Sequence, residues 1–163
     1  MELNKMRHWA IRFAVEGDLK QAAQIWNERA SLLQQSDDIQ PLNPDRILDW
    51  QRQARSWLTN DKCGFFVGEV DMSISGYMVI MISEGPAGLG PAVVGKVVDM
   101  AIELHESRPG LSGALLDEAR KWLKARDVGY LTVDVPARYP VEEAFWRAQG
   151  ARLRFNQNWL TLF

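Results

Sequence analysis

The stretch Val97–Leu116, VVDMAIELHESRPGLSGALL, decides how this chain is read. Its first half belongs to Val93–Leu104, an apolar and β-branched run long enough for a strand. A short polar break follows. Leu111, Leu115, Leu116, Ala119 and Leu123 then recur at helical spacing as far as Arg126. Gly110 sits where this helix begins. A helix start offers unpaired backbone N–H groups and the positive end of the helix dipole, which together attract anions. Gly110 lets a phosphate approach the backbone, and Arg108 adds charge. Many strand–glycine–helix turns bind nothing, so this signal alone names no ligand.

Outward from that stretch, Tyr130–Val135 alternates as a strand, and strand–helix–strand has the lengths of a right-handed parallel crossover. Val141–Gln149 is a short helix stopped by Gly150, and Leu153–Phe163 reads as one or two closing strands. Toward the N-terminus, Trp9–Ala14 alternates as a strand, with Asp18 placed to cap a helix carrying Leu19, Ala22, Ala23, Trp26, Ala30 and Leu33. Asn43-Pro44 opens a second helix with Ile47, Trp50, Ala54, Trp57 and Leu58 on one face. Phe65–Val70 and Ile74–Ile82 form a hairpin around Asp71-Met72, and the Gly/Pro-rich Glu84–Ala92 is a loop. The order is that of a mixed α/β chain, expected to be a single domain over residues 1–163.

The 163 residues suffice for a real core. A net charge of -2 makes nucleic acid a poor partner. The lone Cys63 cannot form an intramolecular disulfide and reads as an inert thiol. The apolar run Tyr77–Ile82 is too short to span a bilayer, and Met1–His8 lacks the apolar centre of a signal peptide. The expectation is a cytoplasmic protein with no membrane partner. His8 and His105 have no partner spacing for a metal, so none is expected. The seven tryptophans read mainly as core.

Two motifs together resemble the GNAT superfamily of N-acetyltransferases. In that family an acid and an apolar triplet end the fourth strand, followed by a pyrophosphate loop [QR]-x-x-G-x-[GA] and a leucine pair. Asp99-Met100-Ala101-Ile102 looks like the acid and triplet. Ser107-Arg108-Pro109-Gly110-Leu111-Ser112 occupies the loop, Gly113 follows, and Leu115-Leu116 is the leucine pair. Ala144–Gly150 resembles the second motif, a short helix ending in aromatics before a glycine. The likeness runs from Ile11 to Phe163. It implies an α/β (α+β) fold, with a mixed, mostly antiparallel sheet of six to seven strands flanked by about four helices. Departures are plain. Ser107 stands where Gln or Arg is preferred, Pro109 removes a backbone donor, and Ser112 replaces Gly or Ala. Trp146 stands where many members have a tyrosine acid, and Tyr139 where many have asparagine.

The resemblance implies acetyl transfer from acetyl-CoA, or another acyl-CoA, to an amine of a small molecule or peptide by direct attack in a ternary complex. Asp99 is the expected base, directly or through water. Glu103 shares its strand parity unless a bulge intervenes. A backbone N–H near Ala101–Ile102 would face the thioester oxygen. Coenzyme contacts are expected from Met100, Ala101, Ile102, Ser107, Arg108, Pro109, Gly110, Leu111, Ser112, Gly113, Tyr139, Phe145 and Trp146. Asp37 and Asp38 border the acceptor region of the family and would receive a cationic amine. A homodimer through the closing strands is an arrangement this fold allows. A reading from a different class is a non-catalytic GNAT-fold module that binds an acyl-CoA or a protein.

Overall fold

The computed structural model describes residues 9–36, 41–105 and 110–163. Its elements are β1 (Ala10–Phe13), α1 (Leu19–Ser36), α2 (Arg46–Leu58), β2 (Cys63–Val70), β3 (Ser73–Glu84), β4 (Val93–Ile102), α3 (Leu111–Lys124), β5 (Leu131–Val133) and α4 (Pro140–Ala148). The strands form one sheet in the order β1-β2-β3-β4-β5, antiparallel except for the parallel pair β4–β5. Helices cover both faces. This is the mixed α+β architecture expected, with the crossover β4–α3–β5 in its place.

The sheet has five strands among the described residues, not six or seven. Residues 151–163 form neither helix nor strand, and every one of them is exposed. The closing strands expected there join no ladder among the described residues, so alternation alone does not make them strands. β5 is also shorter than the run Tyr130–Val135. Asp18 does not cap α1 through its side chain. It lies in a 3-10 turn, where its carboxylate accepts the Val15 N–H at 2.8 Å and two N–H groups of Arg12 at 2.7 and 2.9 Å. Arg12 thereby holds the Asp18 carboxyl below its ordinary range.

Strand alternation sorts the core into two layers. Phe65, Val67, Tyr77, Val79 and Ala101 face α1 and α2, meeting Leu19, Ala22, Ala23, Trp50, Ala54 and Trp57. Phe66, Met78, Ile80 and Val97 face α3 and α4, meeting Leu111, Leu115, Leu116, Ala119, Trp122 and Trp146. Burial on both faces explains why β2 and β3 read as nearly continuous apolar runs rather than clean alternations. Leu111 lies in a notch that glycine creates: a Cβ at Gly68 would stand 2.4 Å from Leu111 Cδ1. The start of α3 is thus seated directly on the sheet.

Asp71 and Met72 both have positive φ, 51° and 64°, as a two-residue turn of the primed type requires. Met72 is almost wholly exposed and gains little packing to offset left-handed strain. Met72→Gly is therefore expected to stabilise the chain by roughly 0.5–1 kcal/mol, after glycine's own entropic cost. A raised midpoint of thermal unfolding checks this, and a lowered one would contradict it.

The feature that builds the site is a bulge in β4. Val79 pairs with Asp99 but Ile80 pairs with Val97, so Val98 is the extra residue. The pairing of β4 with β5 stops at the same point, at Val97 opposite Val133. Beyond it the two strands part.

Candidate active site

The bulge turns both Val98 and Asp99 toward α1 and α2. It precedes Asp99, so the parity of Asp99, Ala101 and Glu103 survives. Glu103 donates its N–H to the Ser75 carbonyl at 2.8 Å, across to β3. By the alternation of an antiparallel ladder, the amides of Asp99 and Ala101 also face β3, and those of Met100 and Ile102 face the side that β5 has left. The Met100 N–H is taken by Asp99 Oδ1 at 2.9 Å. Ile102 is therefore the residue of the pair Ala101–Ile102 whose N–H faces the opening.

Asp99 lies in an aromatic enclosure. Its Oδ2 accepts the indole N–H of Trp50 at 2.6 Å. Trp50 in turn stacks on Trp26, with ring centroids 6.3 Å apart, and lies 5.4 Å from Tyr77. Burial raises the Asp99 pKa above the ordinary carboxylate value; the Trp50 hydrogen bond and the positive charge of Arg29 oppose the rise without cancelling it. The Tyr77 hydroxyl is fully buried and, among the described residues, makes no hydrogen bond of normal geometry. Burial, reinforced by the Asp99 charge, pushes its pKa well above the usual phenol value, so it stays protonated.

A cavity of about 210 Å³ opens where β4 and β5 part. Met100, Ala101 and Ile102 form one wall, Phe145 and Trp146 of α4 the opposite one, and Tyr139, Ser112 and Arg29 supply polar groups. The Arg29 Nε donates to Glu142 Oε1 at 2.6 Å and its second nitrogen donates to Oε2 at 2.9 Å, tying α1 to α4 across the opening. Burial works against the Arg29 charge, but pairing with Glu142 outweighs it and holds its pKa above the ordinary value. A larger hollow of about 570 Å³ lies inside the loop around Gly85–Ala92; Glu84 is the one ionisable side chain lining it, and it holds no constellation for chemistry.

The first turn of α3 borders the cavity at Ser112. Gly110 is its N-cap with φ 101°, a left-handed conformation that disfavours any residue with a Cβ. Among the described residues no side chain caps the helix, and the first intrahelical bond runs from the Ala114 N–H to the Gly110 carbonyl at 2.9 Å. The amides of Leu111, Ser112 and Gly113 precede it and have no partner within the helix. Among the described residues a Cβ added at Gly113 would meet nothing within 4 Å. These features suit a pyrophosphate.

Of the residues singled out in the sequence, Met100, Ala101, Ile102, Ser112, Tyr139, Phe145 and Trp146 come together around the cavity. Asp99 lies behind that wall, linked to the cavity by Ala101 and Arg29. Glu103 is not among the described side chains that line it. The Leu111 side chain belongs to the core, which leaves only its backbone for a ligand. Trp146 is also buried in the core, a wall with no acidic hydroxyl. Ser107, Arg108, Pro109, Asp37 and Asp38 lie outside the described residues. Arg29, Glu142, Trp50 and Tyr77 were not singled out as site residues. Arg29 had a signal: a cation three residues beyond Trp26 on the apolar stripe of α1.

Among the described residues no three His, Cys, Asp or Glu side chains cluster as a metal site, and no helix is long and apolar enough to cross a membrane.

No family model matches the chain, and no curated protein matches it. Solved structures do. A mutant of the BH1408 protein of Bacillus halodurans superposes with a TM-score of 0.82 at 18% identity, over 94% of this chain and 99% of that one. An aminoglycoside 6'-N-acetyltransferase of Acinetobacter haemolyticus gives 0.73 at 16%, over 93% and 97%. A predicted acetyltransferase of Clostridium acetobutylicum, solved with acetyl-CoA, gives 0.71 at 16%, over 95% and 96%. The five-stranded sheet, its parting strands and these neighbours agree: the chain has the fold of the GNAT acetyltransferases.

Proposed function

We propose that this protein is an acyl-CoA-dependent N-acetyltransferase acting on an amine. The observation that carries the reading is Asp99: a carboxylate with a raised pKa, buried directly behind the cavity where β4 and β5 part. A carboxylate in water is a weak base. Burial raises its affinity for a proton, as a group that must deprotonate an ammonium near neutral pH needs. Asp99 does not line the cavity, so a water rather than direct contact would carry the proton to it.

Acetyl-CoA, when bound, supplies an acetyl thioester whose carbonyl carbon the free amine attacks. The chain's own groups do the rest. The open amides at the start of α3 receive the pyrophosphate, with Gly110 allowing close approach. Met100, Ile102 and Phe145 confine the arm between the strands and exclude water. The Ile102 N–H faces the opening and stabilises the oxygen that gains charge. A thiol with a pKa near roughly 8.5 leaves as thiolate without an acid, so the absence of a tyrosine at position 146 is tolerable. Tyr139 is a hydroxyl at the cavity that can supply the proton afterwards.

Acceptors are amines. The aminoglycoside acetyltransferases among the structural neighbours support a small molecule, and a peptide amine fits the same chemistry. The test is release of free thiol from acetyl-CoA across aminoglycosides, small polyamines and peptides, alongside thermal melting with acetyl-CoA. Acceptor-dependent release together with a raised melting midpoint is expected. A raised midpoint with no release from any acceptor would favour a binding module. No shift at all would overturn the coenzyme assignment.

A further inference from the structure

Arg29 comes to the cavity from the same face of the sheet as Asp99. Trp26, three residues earlier on α1, stacks on Trp50, and Trp50 donates its indole N–H to Asp99. α1 and α2 cover that face. α3, whose first turn suits the pyrophosphate, covers the other. Arg29 also lines the cavity where β4 and β5 part. A cation so placed belongs with the acceptor and the base rather than with the coenzyme's phosphates.

That placement sets a condition on the acceptor. A guanidinium repels an incoming ammonium, and more strongly where water is scarce. Arg29 is only 20% exposed at its side chain, and pairing with Glu142 keeps it charged. Among the described residues that line the cavity, Glu142 is the one acid. Both its oxygens already accept from Arg29, at 2.6 and 2.9 Å. None of its charge is spare for a cationic amine, and less still for the several ammonium groups of an aminoglycoside. An amine that brings its own carboxylate meets the condition.

The guanidinium has room for that carboxylate. It carries five N–H donors on three nitrogens. Glu142 takes one from Nε and one from Nη2. Among the described residues Nη1 has no hydrogen-bond partner, which leaves its two donors for a ligand. Bonds from a guanidinium to a carboxylate are among the strong ones, and the planar fork gives them direction.

We propose that the acceptor is an amino acid or another small amine bearing a carboxylate, and that Arg29 Nη1 holds the carboxylate while the amine meets the thioester. This inference rests on the acetyl-transfer reading of the same cavity. The amine nitrogen bonds to the acetyl carbon, the C–S bond breaks, the amine's proton passes through water to Asp99, and the thiolate leaves. The product is an N-acetylated acid that keeps the carboxylate and has lost the ammonium. Glu142 then fixes the plane of the guanidinium, and Arg29 selects the acceptor by charge.

The test is thiol release from acetyl-CoA with a panel of amino acids, each beside its own amide, and with an aminoglycoside. The amide keeps the side chain and the amine and lacks only the carboxylate. Its amine is the less basic of the two, so with no role for the carboxylate the amide would react faster. The expected result is a kcat/KM roughly 10–100-fold higher for the acid, carried mainly by KM, as a hydrogen bond to a charged group supplies. Arg29→Met with Glu142→Gln, which strands no charge, should erase that preference. Glu142→Gln alone should lower KM for the acid, because the Glu142 charge no longer competes for Arg29. Amides that match or outrun their acids, or an aminoglycoside as the best acceptor, would overturn this inference and leave acetyl transfer standing. So would a preference for the acid that survives the double variant. Release with no amine at all would overturn both.

Discussion

Replacing Asp99 with asparagine is expected to lower kcat by about 10²–10⁴-fold, the usual contribution of a positioned general base, and to leave the affinity for acetyl-CoA near that of the unaltered protein. The two effects separate because the proposed base and the proposed pyrophosphate site lie on different elements: Asp99 on β4 behind Ala101, the pyrophosphate site at the first turn of α3. The variant should also fold. An amide oxygen can still accept the Trp50 N–H that now reaches Oδ2 at 2.6 Å, at the cost of the Met100 N–H bond that now reaches Oδ1 at 2.9 Å. The sign of the linkage helps. Folding raises the Asp99 pKa, so the native state holds its proton more tightly than the unfolded chain. Ionisation as pH rises past the unfolded value therefore costs folding stability, and asparagine removes that cost. At neutral pH that relief offsets the lost Met100 hydrogen bond, so Asp99→Asn should melt within a few degrees of the parent. Steady-state kinetics and a coenzyme titration check the first part, thermal melting the second. A kcat within a factor of three of the parent would remove Asp99 as base.

The sequence made Asp99 visible, but for a reason separate from its environment. It was found as the acid before an apolar triplet and a glycine-started helix, a one-dimensional pattern. Its partners come from α1, α2 and β3, and none of those distances is written in local spacing. Trp50 looked like one more apolar position on the face of α2. Only the fold shows that its N–H points at a carboxylate 49 residues away. The sequence allowed for a bulge between Asp99 and Glu103; its actual place at Val98 was hidden, because an extra residue in a run such as VVDMAI changes no period that can be counted. Yet that bulge aims Asp99 and ends the β4–β5 pairing.

The closing strands teach the converse. Leu153–Phe163 alternates well enough to be read as strand, and local pattern is all a sequence supplies. A strand also needs an edge to pair with, and which edge a segment meets is set by the fold rather than by the segment. Trp159 makes the same point against its fellow tryptophans. Trp50, Trp57, Trp122 and Trp146 are core as composition suggested, whereas Trp159 lies on the exposed segment.

Arg29→Met should destabilise the protein by about 2–3 kcal/mol and move the acid limb of the pH–rate profile toward higher pH. The first effect follows from what is left behind. Glu142 would lose both donors, at 2.6 and 2.9 Å, and its carboxylate is only 22% exposed. A half-buried charge without a partner costs more than the pair contributed. Adding Glu142→Gln should recover part of the loss, because the stranded charge is then gone. The second effect follows from Asp99. The Arg29 charge now pulls the Asp99 pKa down against burial. Without it the carboxyl keeps its proton to higher pH, and the base becomes available only there. Arg29→Lys separates the two roles. Lysine keeps the charge but loses the two-pronged grip on Glu142, so stability should fall in part with the acid limb near its original position. If Arg29 only fastens α1 to α4, all three variants would lower kcat/KM equally at every pH, and the limb would not move.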